Sequence, residues 1–97
     1  MHIVALKSLR QFWETHPDAE QPLRAWYAIA SNAEWRTPAD VKMDYRSASF
    51  VGANRVIFNI KGNAYRLIVV AEYRKGRIFV RFVGTHAEYD RVDPTTI

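Results

Sequence analysis

Ninety-seven residues carrying fourteen Lys/Arg, ten Asp/Glu and a net charge of +4 make one domain, large enough for a modest core and too short for a second. The absence of cysteine excludes a disulfide framework and any thiolate metal site, so the fold suits either redox compartment and the cytoplasm is the default expectation. Apolar runs such as Leu67 to Ala71 are far short of the roughly 20 residues that cross a bilayer, so neither a membrane partner nor a secretion signal is expected.

In chain order, His2-Ile3-Val4-Ala5 is short and β-prone and reads as an edge strand that joins a sheet formed later. Ser8 followed by Gln11 is a capping-box pattern, and Leu9, Phe12 and Trp13 share one helical face, which predicts a helix over Ser8 to Thr15. Pro17 stops it by forcing His16 out of the α region. Asp18 with Gln21 repeats the capping signal, and Pro22 lies early enough to be tolerated. Leu23, Trp26, Tyr27 and Ala30 then follow at i, i+3, i+4, i+7, the stripe of a second amphipathic helix. That spacing assigns Trp13, Trp26 and Tyr27 to a core rather than to base stacking. Thr37 with Pro38 and Asp40 caps one short helical turn before Tyr45. Ser47 to Val51 reads as a first sheet strand, ended by Gly52-Ala53-Asn54.

The stretch from Arg55 to Asp90 contains three Val/Ile/Phe/Tyr-rich runs punctuated by Gly62-Asn63 and Lys75-Gly76, the pattern of a three-stranded meander with tight turns. Two-residue turns at those dipeptides pair Lys61 with Ala64, Asn59 with Arg66, Arg74 with Arg77 and Val70 with Arg81. Side chains alternate faces. One face then holds Val56, Phe58, Ile60, Tyr65, Leu67, Val69, Ala71, Tyr73, Ile78, Val80 and Phe82. The other holds Arg55, Ile57, Asn59, Lys61, Arg66, Ile68, Val70, Glu72, Arg74, Arg77, Phe79, Arg81 and Val83. Every strand-borne cation lies on this second face, and a one-residue slip would scatter them. Thr85 to Arg91 is compatible with a short helix, and Asp93 to Ile97 reads as a loose tail. The fold class expected is α+β, with two N-terminal helices on one face of a mainly antiparallel three- to five-stranded sheet and the basic face left open.

Charge distribution says more than its sum. Residues 1–50 hold six Lys/Arg against six Asp/Glu, and residues 51–97 hold eight against four. A basic sheet face fits a polyanion or an acidic protein, and the bland alternative is a solvated outer surface. Titratable groups concentrate in Gly84-Thr85-His86-Ala87-Glu88-Tyr89-Asp90. His86 is the only histidine of the second half, and an imidazole trades its proton near neutral pH. Tyr89, three residues on, shares a face with it in a helix and can meet a phosphate or stack on a base. Arg66 and Arg81 are the strongest phosphate candidates, because a guanidinium grips phosphate oxygens in parallel pairs and stays ionised. Their competing reading is a structural ion pair with Glu72 or Asp90. His2, His16 and His86 have no recognisable ligand spacing, so no metal and no cofactor are expected. Gly62 and Gly76 are explained by their turns, and no nucleophilic Ser or Cys motif is present. Cations with a histidine and a tyrosine at their rim suit RNA cleavage by the ribose 2′-hydroxyl, which needs orientation, one proton transferred and a neutralised phosphorane.

The segments FNIKGNAYRL (Phe58 to Leu67) and VRFVGTHAEYDRVD (Val80 to Asp93), with the apolar strand between them, resemble the HigB toxins of the RelE-like superfamily of mRNA interferases. The likeness reaches back loosely to Pro38-Ala39-Asp40, and the N-terminal helices match only in placement. The resemblance implies a single RelE-like toxin domain over residues 1–97 that cleaves mRNA in the ribosomal A site. It implies a HigA-like helix-turn-helix antitoxin as partner, with operator DNA engaged only indirectly through that antitoxin. Carried over, Arg66, His86 and Tyr89 are the first choices for the active centre, with Arg81 as a further catalytic residue and Asn59 and Lys61 as supporting RNA contacts. Arg55, Arg74 and Arg77 complete the RNA-binding set on the charge pattern. The chain departs from the RelE type in having His86 where an arginine is common and Lys61 as its one nearby lysine. The general base is therefore expected to be His86, with Lys61 or Glu88 behind it. A module that binds RNA without cleaving it, or one that meets an acidic partner helix, is the alternative.

Overall fold

The computed structural model describes residues 1–4 and 6–97. Strand β1 (His2–Val4) leads into helix α1 (Leu6–Thr15), a 3-10 turn (Pro17–Ala19), α2 (Glu20–Asn32) and α3 (Pro38–Asp44). Strands β2 (Ser49–Val51), β3 (Arg55–Ile60), β4 (Tyr65–Glu72) and β5 (Arg77–Thr85) follow, and α4 (His86–Tyr89) closes the series. The five strands form one sheet in the order β1-β5-β4-β3-β2. Only β1 pairs in parallel, along the first residues of β5. The expected early edge strand is thus present, although Ala5, which the sequence reading included in it, lies outside the described residues.

Helix boundaries follow local chemistry, with two corrections. α1 starts at Leu6, so Ser8 sits inside its first turn and does not cap it. Asp18 does not cap α2 either; Ala19 holds that position without a side-chain bond, and the Asp18 carboxylate is turned toward the sheet instead. The Thr37/Asp40 capping box of α3 forms as expected. Leu9, Trp13, Leu23, Trp26, Ala30, Trp35 and Val41 bury against Val56, Phe58, Ile60, Leu67, Val69, Ala71 and Ile78 of the sheet. The Trp26 ring meets Phe58 edge-on at 5.5 Å, a favoured aromatic geometry that adds to the area buried. Trp13 and Trp26 are core residues, and Tyr27 packs half-buried against them.

The β3–β4 ladder has the anticipated register, with Asn59 opposite Arg66 and Ile60 opposite Tyr65. The β4–β5 ladder differs. Lys75-Gly76 does not make a two-residue turn; Tyr73 to Gly76 form a four-residue loop with Gly76 at φ +64°, and Val70 faces Phe79 rather than Arg81. A two-residue turn of the hairpin type would put Lys75 at positive φ, and the chain places only the glycine there. The displacement is even, so facing is preserved as far as Val80. An irregularity at Ile68/Val69 then makes Arg81 an extra residue, with Val69 opposite Val80 and Ile68 opposite Phe82. Such a bulge exchanges the faces beyond it. Phe82 leaves the helix side, where it was expected, and Val83 replaces it against the core.

The second face is not open, and the tail is not loose. Ile57 and Ile68 are 5% and 0% exposed although they point away from the helices. α4 sits against β4 and β5, and the chain beyond it returns to this face, where Arg55 donates to the Ile97 oxygen from Nε at 3.0 Å and from Nη2 at 2.6 Å. Arg81 Nε reaches the same oxygen at 3.3 Å. An apolar strip on a sheet face needs cover, and the residues after β5 supply it.

Candidate active site

Arg66 is the second residue of β4 and lies opposite both Asn59 of β3 and Gly84 of β5. Its Nη1 donates to the side-chain oxygens of Asn59 and Asn63. Two carbonyl acceptors fix the guanidinium without neutralising it. Its Nε and Nη2 have no hydrogen-bond partner among the described residues, which leaves the edge that pairs with two phosphate oxygens.

α4 brings the remaining groups. Thr85 caps it, accepting from the Glu88 N–H while Glu88 Oε1 accepts from the Thr85 N–H at 2.9 Å. This reciprocal cap fixes the exit of the chain from β5. Tyr89 then lies with its ring 5.5 Å from the Arg66 guanidinium carbon, within cation–π range. The His86 ring meets Tyr89 edge-on at 6.4 Å between centroids, and its Nδ1 is 3.4 Å from Asp90 Oδ2. His86 is half-exposed, at 48% of its side chain. The backbone hydrogen bond from Thr85 holds the Glu88 carboxyl below its ordinary range.

Gly84 lets these parts approach. A Cβ there would stand 2.5 Å from the Phe82 ring and 3.2 Å from Glu88 Cβ. Sequence reasoning explained Gly62 and Gly76 and left Gly84 without a role; its signal is a glycine inside a strand-like run.

The structure therefore gathers Asn59, Arg66, His86 and Tyr89 and disperses the other candidates. Arg55 and Arg81 converge on the Ile97 oxygen. Arg77 starts β5 and pairs loosely with Glu72 at 3.7 Å; from there to Gly84 is about 23 Å of strand at ~3.3 Å per residue. Arg74 lies in the loop at that far end, lining an open groove of about 590 Å³ with His2, Arg36 and Lys75. Lys61 leaves the sheet face: its φ of +53° takes it out of strand alternation, and its Nζ reaches Asp18 Oδ2 at 2.5 Å.

Sequence reasoning missed Asn63 as a site residue and the whole Asp18 group. Asp18 accepts from the part-buried Tyr65 hydroxyl as well as from Lys61, and these bonds, that from Lys61 foremost, hold its carboxyl below the usual range. Tyr65 in turn lies edge-on to Phe12 at 5.2 Å and to His16 at 5.6 Å. Asp18 and Lys61 are forty-three residues apart, so no local spacing announces the contact. Among the described residues no three His, Cys, Asp or Glu side chains are grouped to hold a metal ion. Among the described residues no helix is long and apolar enough to cross a membrane.

Comparison with known proteins finds relatives along most of the chain. The chain is 23% identical over 94 residues to an mRNA interferase HigB of Escherichia coli O6:H1, covering 95% of this chain and 91% of the relative. It is 26% identical over 92 residues to the mRNA interferase toxin HigB of Escherichia coli K12, covering 93% and 88%. A family model described as HigB toxin, RelE-like toxic component of a toxin-antitoxin system, matches residues 19–92, from the end of the 3-10 turn through α4. The match spans most of the chain and all the groups gathered around Arg66, and this protein belongs to the HigB toxin family.

Proposed function

We propose that this toxin is an endoribonuclease that cleaves mRNA by attack of a ribose 2′-hydroxyl on the adjacent phosphate. The names of its relatives, both mRNA interferases, support the substrate class. The observation that carries the chemistry is the setting of Arg66, anchored through Nη1 by two asparagines with its other edge free beside Tyr89 and His86.

A phosphate bound across Arg66 Nε and Nη2 places its developing negative charge against a fixed cation that need not reorganise during the reaction. Tyr89 orients the guanidinium through its ring and offers its hydroxyl to the substrate. His86 takes the 2′-hydroxyl proton or returns one to the leaving 5′-oxygen, and Asp90 at 3.4 Å steadies the ring. The geometry favours His86 over the other two candidate bases. Lys61 is engaged as a cation with Asp18, and Glu88 is held ionised in the α4 cap. The products are a 2′,3′-cyclic phosphate and a 5′-hydroxyl, and DNA is inert because it lacks the nucleophile.

Arg55, Arg81, Lys61, Arg74 and Arg77 extend positive charge away from this centre and serve RNA or ribosome binding, for which phosphate neutralisation supplies affinity. The toxin-antitoxin family implies an antitoxin. We take it to be a HigA-like helix-turn-helix protein that covers the Arg66 centre or blocks ribosome access, with mRNA in the A site as substrate and the cytoplasm as the place of action.

The test is 5′-end mapping of a defined mRNA with and without translating ribosomes, for wild type and His86→Ala. Cuts by the wild type that vanish in the variant are the expected result. Cuts that persist in His86→Ala remove the histidine from the chemistry and keep the enzyme. A wild type that binds RNA in a salt-dependent way but cuts under neither condition replaces the nuclease reading with a binding module.

A further inference from the structure

We infer that Asp18 is a positioning residue for Arg66, acting from the helix side of the sheet through the loop between β3 and β4. The inference rests on the nuclease reading for its importance, but its geometry stands apart from it.

Asp18 belongs to the 3-10 turn between α1 and α2, and its two carboxylate oxygens are divided between two strands' ends. Oδ2 takes Lys61 Nζ at 2.5 Å, and Oδ1 takes the Tyr65 hydroxyl. Lys61 is the residue after β3 and Tyr65 the first residue of β4. One carboxylate therefore grips the loop at its entry and its exit. Within that grip lies Asn63, whose side-chain oxygen accepts from Arg66 Nη1, and Arg66 is the residue after Tyr65. Adjacent strand residues point to opposite faces, so Asp18 pins β4 from below at Tyr65 and the loop presents Asn63 to the guanidinium above.

The loop needs such a grip. Lys61 and Gly62 both have left-handed backbones, at φ +53° and +62°, and a lysine adopts that conformation only when its surroundings hold it there. The Ala64 N–H to Lys61 oxygen bond, 3.1 Å, closes the loop but does not fix its side chains. The Lys61–Asp18 bond does. Without it Lys61 regains the ordinary backbone, Asn63 swings away, and Nη1 keeps only Asn59. Tyr65 gives the carboxylate a firm base, since it is 7% exposed and its ring is set by Phe12 and His16.

A purely structural role makes a different forecast. The Asp18–Lys61 pair is half-exposed at both ends, and pairs of that kind add little to global stability. The effect of losing Asp18 therefore belongs in turnover, not in the melting temperature.

The experiment is a double-mutant cycle of Asp18→Ala and Arg66→Ala on ribosome-dependent cleavage, with kcat and KM measured separately. Alongside it, the arginine Nε–Hε resonances of 15N-labelled protein are recorded, with Arg66 assigned by its absence in Arg66→Ala. Asp18→Ala is expected to lower kcat about tenfold, as for misplacement of a reacting group by a fraction of an ångström, with KM and melting temperature unchanged. Asp18→Asn, which keeps an acceptor, should recover part of that loss. In the Arg66→Ala background the further cost of Asp18→Ala should be less than about twofold, because coupled residues do not add. Full loss in that background, or a kcat unaltered by Asp18→Ala, overturns the inference. The Arg66 resonance should shift in Asp18→Ala, and an unmoved one overturns it whether or not RNA is cut. A wild type without cleavage sinks the nuclease reading alone.

Discussion

The two faces of the central three strands are held by different kinds of interaction. Toward the helices, Val56, Phe58, Leu67, Val69 and Ile78 alternate regularly and disappear into a core with three tryptophans. Toward the other side, the same strands carry Arg55, Asn59, Arg66 and, at and beyond the bulge, Arg81 and Phe82, covered by α4 and the returning chain. Burial on the first side is non-directional and tolerates only volume-conserving change. Order on the second side comes from caps, amide acceptors and one cation–π contact, each directional and each removable singly. The lesson is that one sheet can assign stability and chemistry to opposite sides, and single substitutions should tell the two apart.

The largest effect on that comparison is expected from adjacent residues of β4. Leu67 is fully buried, and Leu67→Ala should cost about 2–5 kcal/mol of stability through lost transfer energy and the cavity left behind. Chemical denaturation of the purified variant checks it; a loss under about 1 kcal/mol would show that the helix side collapses around the gap. Arg66→Ala should leave the denaturation midpoint nearly unchanged while cleavage falls by about 2–4 kcal/mol of transition-state stabilisation, as for removal of one charge-stabilising donor. Turnover within threefold of wild type would take Arg66 out of the centre.

Gly84→Ala tests the seam between the faces. The added Cβ drives the Phe82 ring aside and crowds Glu88 Cβ at 3.2 Å. A phenyl ring can swing, so the stability cost should be about 1 kcal/mol, at the lower end for overpacking. Glu88 belongs to the helix that carries His86 and Tyr89, so cleavage should fall about tenfold, since small displacements of reacting groups are costly. Equal percentage losses of folded protein and of activity would mean that α4 had not moved independently.

Legibility from sequence followed the same division. The helix-side face could be read because burial imposes a period on residue choice: the Leu23/Trp26/Tyr27/Ala30 stripe and the β3–β4 register both came from counting. The site half-followed. Arg66, His86, Tyr89 and Asn59 were named on residue chemistry and on the HigB resemblance, and the structure groups them. The dispersal of Lys61, Arg55, Arg81 and Arg77 was not legible, for identifiable reasons. Lys61 has a left-handed backbone, which alternation does not foresee. Arg81 became an extra residue at a bulge, which no local signal fixed. Arg55 meets a segment forty-two residues later, and such contacts leave no spacing to detect. Charge pattern shows how many cations a face was given, not which of them stay free.

The smallest effect, and the sharpest separation of the two faces, should come from acid. Glu88, Asp18 and Asp93 all have carboxyls held below their ordinary values, Glu88 by the Thr85 backbone N–H, Asp18 by Lys61 and Asp93 by Thr95. A folded-state value below the unfolded one means that ionisation favours the native form. Its contribution is complete above the ordinary value and is lost as pH falls through the lower, folded one. The ordinary values are 4.5 for Glu88 and 3.8 for Asp18 and Asp93, so the window opens below them, with nothing expected between neutrality and about pH 5. Glu88 and Asp93 lie away from the helix-side core, and Asp18 meets it only at its rim, through the Tyr65 hydroxyl. Acidification should therefore loosen α4, the β3–β4 loop and the returning chain while that core persists. Amide exchange followed by NMR from pH 7 to about 3 should show protection lost first at Glu88 and Asp90, ahead of the Leu67–Ala71 amides. Simultaneous loss at both would mean that the two faces unfold as one unit and that the acid contacts do not act locally.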